Sequence, residues 1–135
     1  MPRQFKDSTL KAAIALPNAA NTTCTAAIDL GTTAPFPVSE KFAVRITIDT
    51  STGANSKNVN AVLQASNESN ANFVNIAGLG APLLVAAGNA ANVIGGNIEV
   101  QLPPNLNKRY IRAAATGEAN GGNAADGNLT VELLF

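Results

Sequence analysis

Three stretches of this chain alternate strictly between apolar and polar side chains, and that alternation decides the fold class. In Phe42-Ala-Val-Arg-Ile-Thr-Ile-Asp49, residues Phe42, Val44, Ile46 and Ile48 fall on one side of an extended backbone. Ala43, Arg45, Thr47 and Asp49 fall on the other. A period of two built on β-branched residues describes a strand with one buried and one wet face. Ile98 to Leu102 repeats the pattern and stops at Pro103-Pro104, whose rings remove two N–H donors. Leu129 to Leu133 repeats it again near the C-terminus. Softer strand candidates are Thr25 to Leu30, Val59 to Ala65, Asn72 to Ile76, Leu83 to Ala86 and Arg109 to Ala115.

The spacers between these runs are turn chemistry. The chain has 17 Asn, and most of them cluster between the apolar runs. Asn hydrogen-bonds nearby backbone and tolerates positive φ, so such clusters mark turns. Short apolar runs separated by turn clusters predict an all-β sandwich or barrel. Long, uneven loops favour a jelly-roll-like β-sandwich of about eight strands in one domain. An immunoglobulin-like sandwich is the second choice, and its Cys…Trp…Cys pattern is missing. The buried set is expected to be Phe42, Val44, Ile46, Ile48, Leu63, Val100, Ile111, Leu129 and Val131. Helical signal is thin. Ser8 to Leu16 could form a turn or two behind a Ser8 or Thr9 cap, but a helix that short is marginal alone. Residues 1–21 therefore read as an extended N-terminal arm, and residues 22–135 as the β-sandwich domain.

Composition excludes much chemistry. The chain has 135 residues and a formal net charge of zero, so it lacks the basic footprint of a nucleic-acid binder. It has no His, which removes Ser-His-Asp and Cys-His nucleophile systems and His-containing metal sites. Its single Cys, Cys24, rules out an intrachain disulfide and reads as a structural thiol. No Gly-rich phosphate motif is present. No run approaches the roughly 18–20 apolar residues of a membrane helix, and the polar start gives no secretory leader. The expectation is a non-enzyme with no catalytic, cofactor-binding or metal residue, and with neither nucleic acid nor membrane as partner.

Two clusters remain as candidate contact surfaces. If Asn107-Lys-Arg-Tyr-Ile-Arg112 is a strand, Lys108, Tyr110 and Arg112 share one face and Arg109 and Ile111 the other. Basic groups flanking the only Tyr suit a partner contact; the plainer reading is an exposed sheet face whose Arg stems cover apolar surface. The arm is the other cluster. Arg3, Lys6 and Lys11 make it basic, and Phe5, Leu10, Ile14 and Leu16 have no obvious place in the sandwich. Such apolar groups usually seek another surface, although a frayed terminus is also open. The segment Asn120 to Asn128 holds oxygen ligands and glycines but lacks the acidic density of a Ca²⁺ loop, and it reads as a plain turn. Glu99 and Glu132 sit on the outward faces of their strands and read as solvated sheet charges.

Several segments together carry a resemblance. They are Ala27-Ile-Asp-Leu-Gly31, the strand Phe42 to Ile48, Val62-Leu-Gln-Ala-Ser66 with a polar turn and Phe73, and Leu102-Pro103. Lys108-Arg-Tyr-Ile-Arg112, a loop at Gly117 and the closing strand Gly127 to Leu133 complete the order. This series resembles the capsid cement (decoration) proteins of tailed bacteriophages, over roughly Thr25 to Leu133. The resemblance implies a virion protein made in the host cytoplasm and carried on the outer capsid surface. It implies the major capsid protein as partner, and self-association as a homodimer or homotrimer at symmetry axes. Arg3, Phe5, Lys6, Leu10, Lys11, Lys108, Tyr110 and Arg112 are the expected partner-binding residues. A lectin-like or host-attachment domain on a phage head or tail is the alternative, weakened by the absence of Trp and the single Tyr.

Overall fold

The computed structural model describes residues 10–30, 43–51, 58–76, 78–88, 93–103, 106–118 and 122–134. Ten strands run through them: β1 (Lys11–Ala15), β2 (Thr22–Cys24), β3 (Ile28–Asp29), β4 (Ala43–Ile48), β5 (Val59–Ser66), β6 (Val74–Asn75), β7 (Leu84–Ala86), β8 (Gly96–Gln101), β9 (Tyr110–Gly117) and β10 (Asn128–Leu134). One sheet has the order β1-β10-β4-β8. The other has the order β2-β9-β5-β6, with β3 also on β9 and β7 also on β5. All the pairings are antiparallel. The class is the expected one: an all-β, jelly-roll-like sandwich.

The alternation read from the sequence is what closes it. Val44, Ile46 and Ile48 of β4 and Leu129, Val131 and Leu133 of β10 are all at most 3% exposed. They face β5 and β9 of the other sheet, whose buried positions include Ala61, Ala65, Ala113 and Ala115. Large branched residues thus meet a mostly small-residue face, which lets the two sheets approach and interdigitate. Leu63 and Ile111 complete the expected core, while Phe42 lies outside the described residues. Val100 is the exception. It packs against the core but is only partly buried, because β8 is a sheet edge with no other described strand beyond it.

Two further expectations need correction. Leu10 keeps a 3₁₀ conformation, but residues 11–16 are neither a helical turn nor an unattached arm. Lys11 to Ala15 form the edge strand β1, in register with β10 from Lys11↔Glu132 to Ala15↔Asn128. Leu16 follows it into the core at 1% exposure. Alanine hid the alternation here: Ala12 and Ile14 turn inward while Lys11, Ala13 and Ala15 are exposed. Thr25 to Leu30 is not one strand either. Between Cys24↔Ala114 and Ile28↔Ile111 this segment advances four residues while β9 advances three, the count of a β-bulge. Thr25 covers the break, its N–H donating to Ala113 O at 2.9 Å and its Oγ1 accepting from Ala113 N at 3.1 Å.

Candidate partner-binding surface

The two outer faces of the sandwich differ in character. On the four-stranded sheet the registers Lys11↔Glu132, Glu132↔Arg45 and Arg45↔Glu99 place alternating charges in one row. Arg45 Nε donates to Glu99 Oε1 at 2.9 Å. The Arg45 pKa is raised, first by the Glu99 hydrogen bond and then by the Glu99 and Glu132 charges, with desolvation opposing. Cross-strand pairs of opposite charge favour one another, and Glu132, between Lys11 and Arg45, is only 7% exposed rather than the solvated sheet charge expected from the alternation.

The outer face of the six-stranded sheet is organised otherwise. Arg112 on β9 pairs with Gln64 on β5, and Gln64 pairs with Asn75 on β6. The side chains follow the ladder: Arg112 Nε donates to Gln64 Oε1 at 2.9 Å, and Gln64 Nε2 donates to Asn75 Oδ1 at 3.2 Å. The Arg112 guanidinium lies 4.1 Å from the centroid of the Phe73 ring, a cation–π distance. A built turn sets Phe73 there. Ser66 Oγ donates to Ala71 O at 2.6 Å and accepts from Glu68 N at 3.0 Å. Asn72 takes φ 57 and its Nδ2 donates to Glu68 Oε1 at 2.8 Å. Asn readily adopts that left-handed conformation.

Beside this row stands Tyr110, half-buried, opposite Asp29 of β3. Arg109 precedes β9 rather than alternating within it. Its Nε and Nη2 reach Asp29 Oδ1 and Oδ2 at 2.8 and 2.9 Å, and its guanidinium lies 5.5 Å from the Tyr110 ring centroid. The Arg109 pKa is raised, chiefly by the Asp29 hydrogen bond and charge. Its backbone N–H donates to Asn67 Oδ1 at 3.2 Å, which ties it to the same turn.

Of the residues singled out from the sequence, Tyr110 and Arg112 therefore share this face as expected. Lys108 does not join the row: it lies before β9 and lines an adjoining hollow of about 270 Å³ with Ala65, Val74, Asn75, Ile76, Pro103 and Leu106. Arg109, expected on the opposite face with Ile111, joins the cluster instead. Lys11 is on the other sheet, in the charge row, and Leu10 precedes its strand and packs against the core. They form no common surface with Tyr110 and Arg112. Arg3, Phe5 and Lys6 lie outside the described residues. Sequence reasoning missed Phe73, Gln64 and Asp29 as members. Cross-strand neighbours follow from register, and register was not readable in these soft strands. Among the described residues, no group of three or more His, Cys, Asp or Glu side chains is placed to hold a metal. Likewise, none of their helices is long and apolar enough to cross a membrane.

No family model and no curated protein sequence matches the chain. Solved structures with a similar arrangement include the K3 cleaved adhesin domain of Lys-gingipain from Porphyromonas gingivalis, at 16% identity and TM-score 0.47. That match covers 87% of this chain and 65% of the adhesin domain. A CBM28 carbohydrate-binding module specific for non-crystalline cellulose is 8% identical with TM-score 0.45, covering 91% of this chain and 71% of the module. An infectious bursal disease virus structure is 12% identical with TM-score 0.43, covering 98% and 33%. These are likenesses of sandwich architecture alone.

Proposed function

We propose that this protein is a structural virion protein that binds the outer surface of a tailed-phage head and cements neighbouring major capsid protein subunits. In this reading the outer face of the six-stranded sheet is the docking surface. The observation that carries it is the pre-ordered Phe73–Arg112–Gln64–Asn75 row with Tyr110 and Arg109 alongside. Tyr, Arg and Phe are the residues that anchor protein interfaces. Here their geometry is fixed before binding, which lowers the entropic cost of association. The role uses no catalytic step and no cofactor. It needs a rigid domain and a contact repeated over a shell, where many modest contacts add through avidity.

A glycan-binding domain is the second reading, favoured by the Gln64 and Asn75 carboxamides beside Phe73. Against it, the Arg112 guanidinium already covers one face of the Phe73 ring, where a sugar would stack. Heads assembled without this protein decide between the two. Tyr110→Ala and Arg112→Ala should each lower occupancy on such heads at least tenfold while circular dichroism stays unchanged. Equal occupancy by wild type and both variants overturns the capsid reading, and saturable binding to an immobilised oligosaccharide that Arg112→Ala retains supports the second.

A further inference from the structure

Among the described residues, edge strand β1 is open along one side. It is the terminal strand of its sheet, and none of the other described strands pairs beyond it. The direction of its free groups follows from one hydrogen bond. Leu16 N donates to Gly127 O at 2.9 Å, toward β10. Residues of an antiparallel strand alternate in the side to which both N–H and C=O point. Residues 12, 14 and 16 therefore bond toward β10, and Lys11, Ala13 and Ala15 aim their backbone groups outward.

Unpaired edges template further pairing, and proteins blunt them with charge, Pro, bulges or brevity. The other edges here are blunted. β8 presents Glu99 among the exposed residues Asn97 and Gln101, while β3 and β6 have two residues each and β2 and β7 three. β1 has five residues, one Lys at its start, then Ala-Ala-Ile-Ala, with no Pro and an unbroken register. Ala12 and Ile14 point into the sandwich yet remain only half-buried, with no described strand flanking them on the open side.

We propose that this edge pairs with the same edge of a second copy, antiparallel, about a two-fold axis through Ala13. The register is dictated by the pattern of free groups. Centring on Ala13 pairs Ala13 with its mate and Lys11 with the mate's Ala15, and each of these pairs exchanges its outward N–H and C=O. It separates the two lysines by about 13 Å along the strands, so no like charges oppose. It also sets Ile14 beside the mate's Ala12, covering the apolar side chains left half-buried. The two four-stranded sheets become one continuous sheet. A five-residue strand pair is far below the roughly 1,600 Å² of a standard stable interface, so the dimer is weak and concentration-dependent in free solution.

The proposal is independent of the capsid reading, and its test uses the purified full chain with no heads present. Sedimentation velocity over a wide concentration series should show reversible monomer–dimer exchange. Ala13→Pro should abolish the dimer without unfolding the domain, since the lost N–H points out of the sheet. Register is tested by oxidation in a Cys24→Ser background. Ala13→Cys should form a covalent dimer, because paired Cα atoms about 5.5 Å apart lie within disulfide range. Ala15→Cys should not, its mate being about 13 Å away. A monomer at every concentration, a dimer that survives Ala13→Pro, or cross-linking at Ala15 in preference to Ala13 each overturns the proposal.

Discussion

The Arg112 guanidinium lies 4.1 Å above the Phe73 ring and donates from Nε to Gln64 at 2.9 Å. One side chain on β9 is thereby fixed by partners on β5 and at the entry to β6. Arg112 is only partly exposed, and its Nε and guanidinium plane are both held within the sheet face. A long cationic side chain ordinarily keeps much rotamer freedom and loses it on binding. This one has lost most of it already.

Arg112→Lys separates geometry from charge. Lysine keeps the cation but loses the planar stack and the Nε donor. The expected stability change is within about 1 kcal/mol, the scale of an exposed cation–π contact. Occupancy on heads lacking this protein should still fall at least tenfold. Phe73→Ala should cost about 1–2 kcal/mol, from partial loss of apolar burial and of the same contact. Urea unfolding with quantitative head binding measures both, and a Lys variant that binds like wild type removes Arg112 from the docking surface.

Leu16 makes the N-terminal segment part of the folding unit. Its side chain is 1% exposed and lies in the cluster that joins both sheets. Leu16→Ala should destabilise by about 2–5 kcal/mol. Deleting residues 2–16 removes β1 and uncovers the long edge of β10, so the shortened chain should aggregate or fail to fold. A soluble, cooperatively unfolding deletion variant would show that β1 is dispensable to the sandwich.

Ile46→Asp should prevent folding, because it places a charge without partner at a fully buried position. Ile46→Val, which only trims a methylene, should cost about 0.5–1.5 kcal/mol. Thermal unfolding of the two variants checks both the strand assignment and the facing of β4.

Three glycines form a graded series. A Cβ at Gly117 would sit 2.0 Å from Ala19 O, and one at Gly95 would sit 2.5 Å from Ile48 O, both backbone atoms. At Gly96 the nearest atom is Leu84 Cδ1 at 3.9 Å. Gly117→Ala and Gly95→Ala should each cost about 1–3 kcal/mol through forced backbone movement. Gly96→Ala should stay within about 0.5 kcal/mol of wild type, like a substitution away from such contacts. Equal midpoints for all three would contradict the close approach of residues 19 and 117.

Period-two alternation made β4, β8 and β10 legible because they carry β-branched residues against charged or polar ones. From them the sheet class and the inward faces of β4 and β10 could be read, with Val44, Ile46, Ile48, Leu129 and Val131 of the core. β1 was hidden in an alanine-rich run, since a small side chain barely distinguishes an inward from an outward position. The split at Thr25 was hidden too, because a bulge is defined by the count of residues on the opposing strand, here β9.

The outer-face cluster shows the same division. The sequence by itself marked Tyr110 and Arg112, which alternate with Ile111 within one strand. Only the tertiary structure decided that Arg109 turns to Asp29, that Lys108 leaves the row for an adjoining hollow, and that Phe73 caps Arg112. Alternation along one strand is a local property, fixed by backbone geometry between successive residues. Which strands lie side by side, and in what register, depends on closing both sheets around one shared core, and no local stretch of chain carries that information.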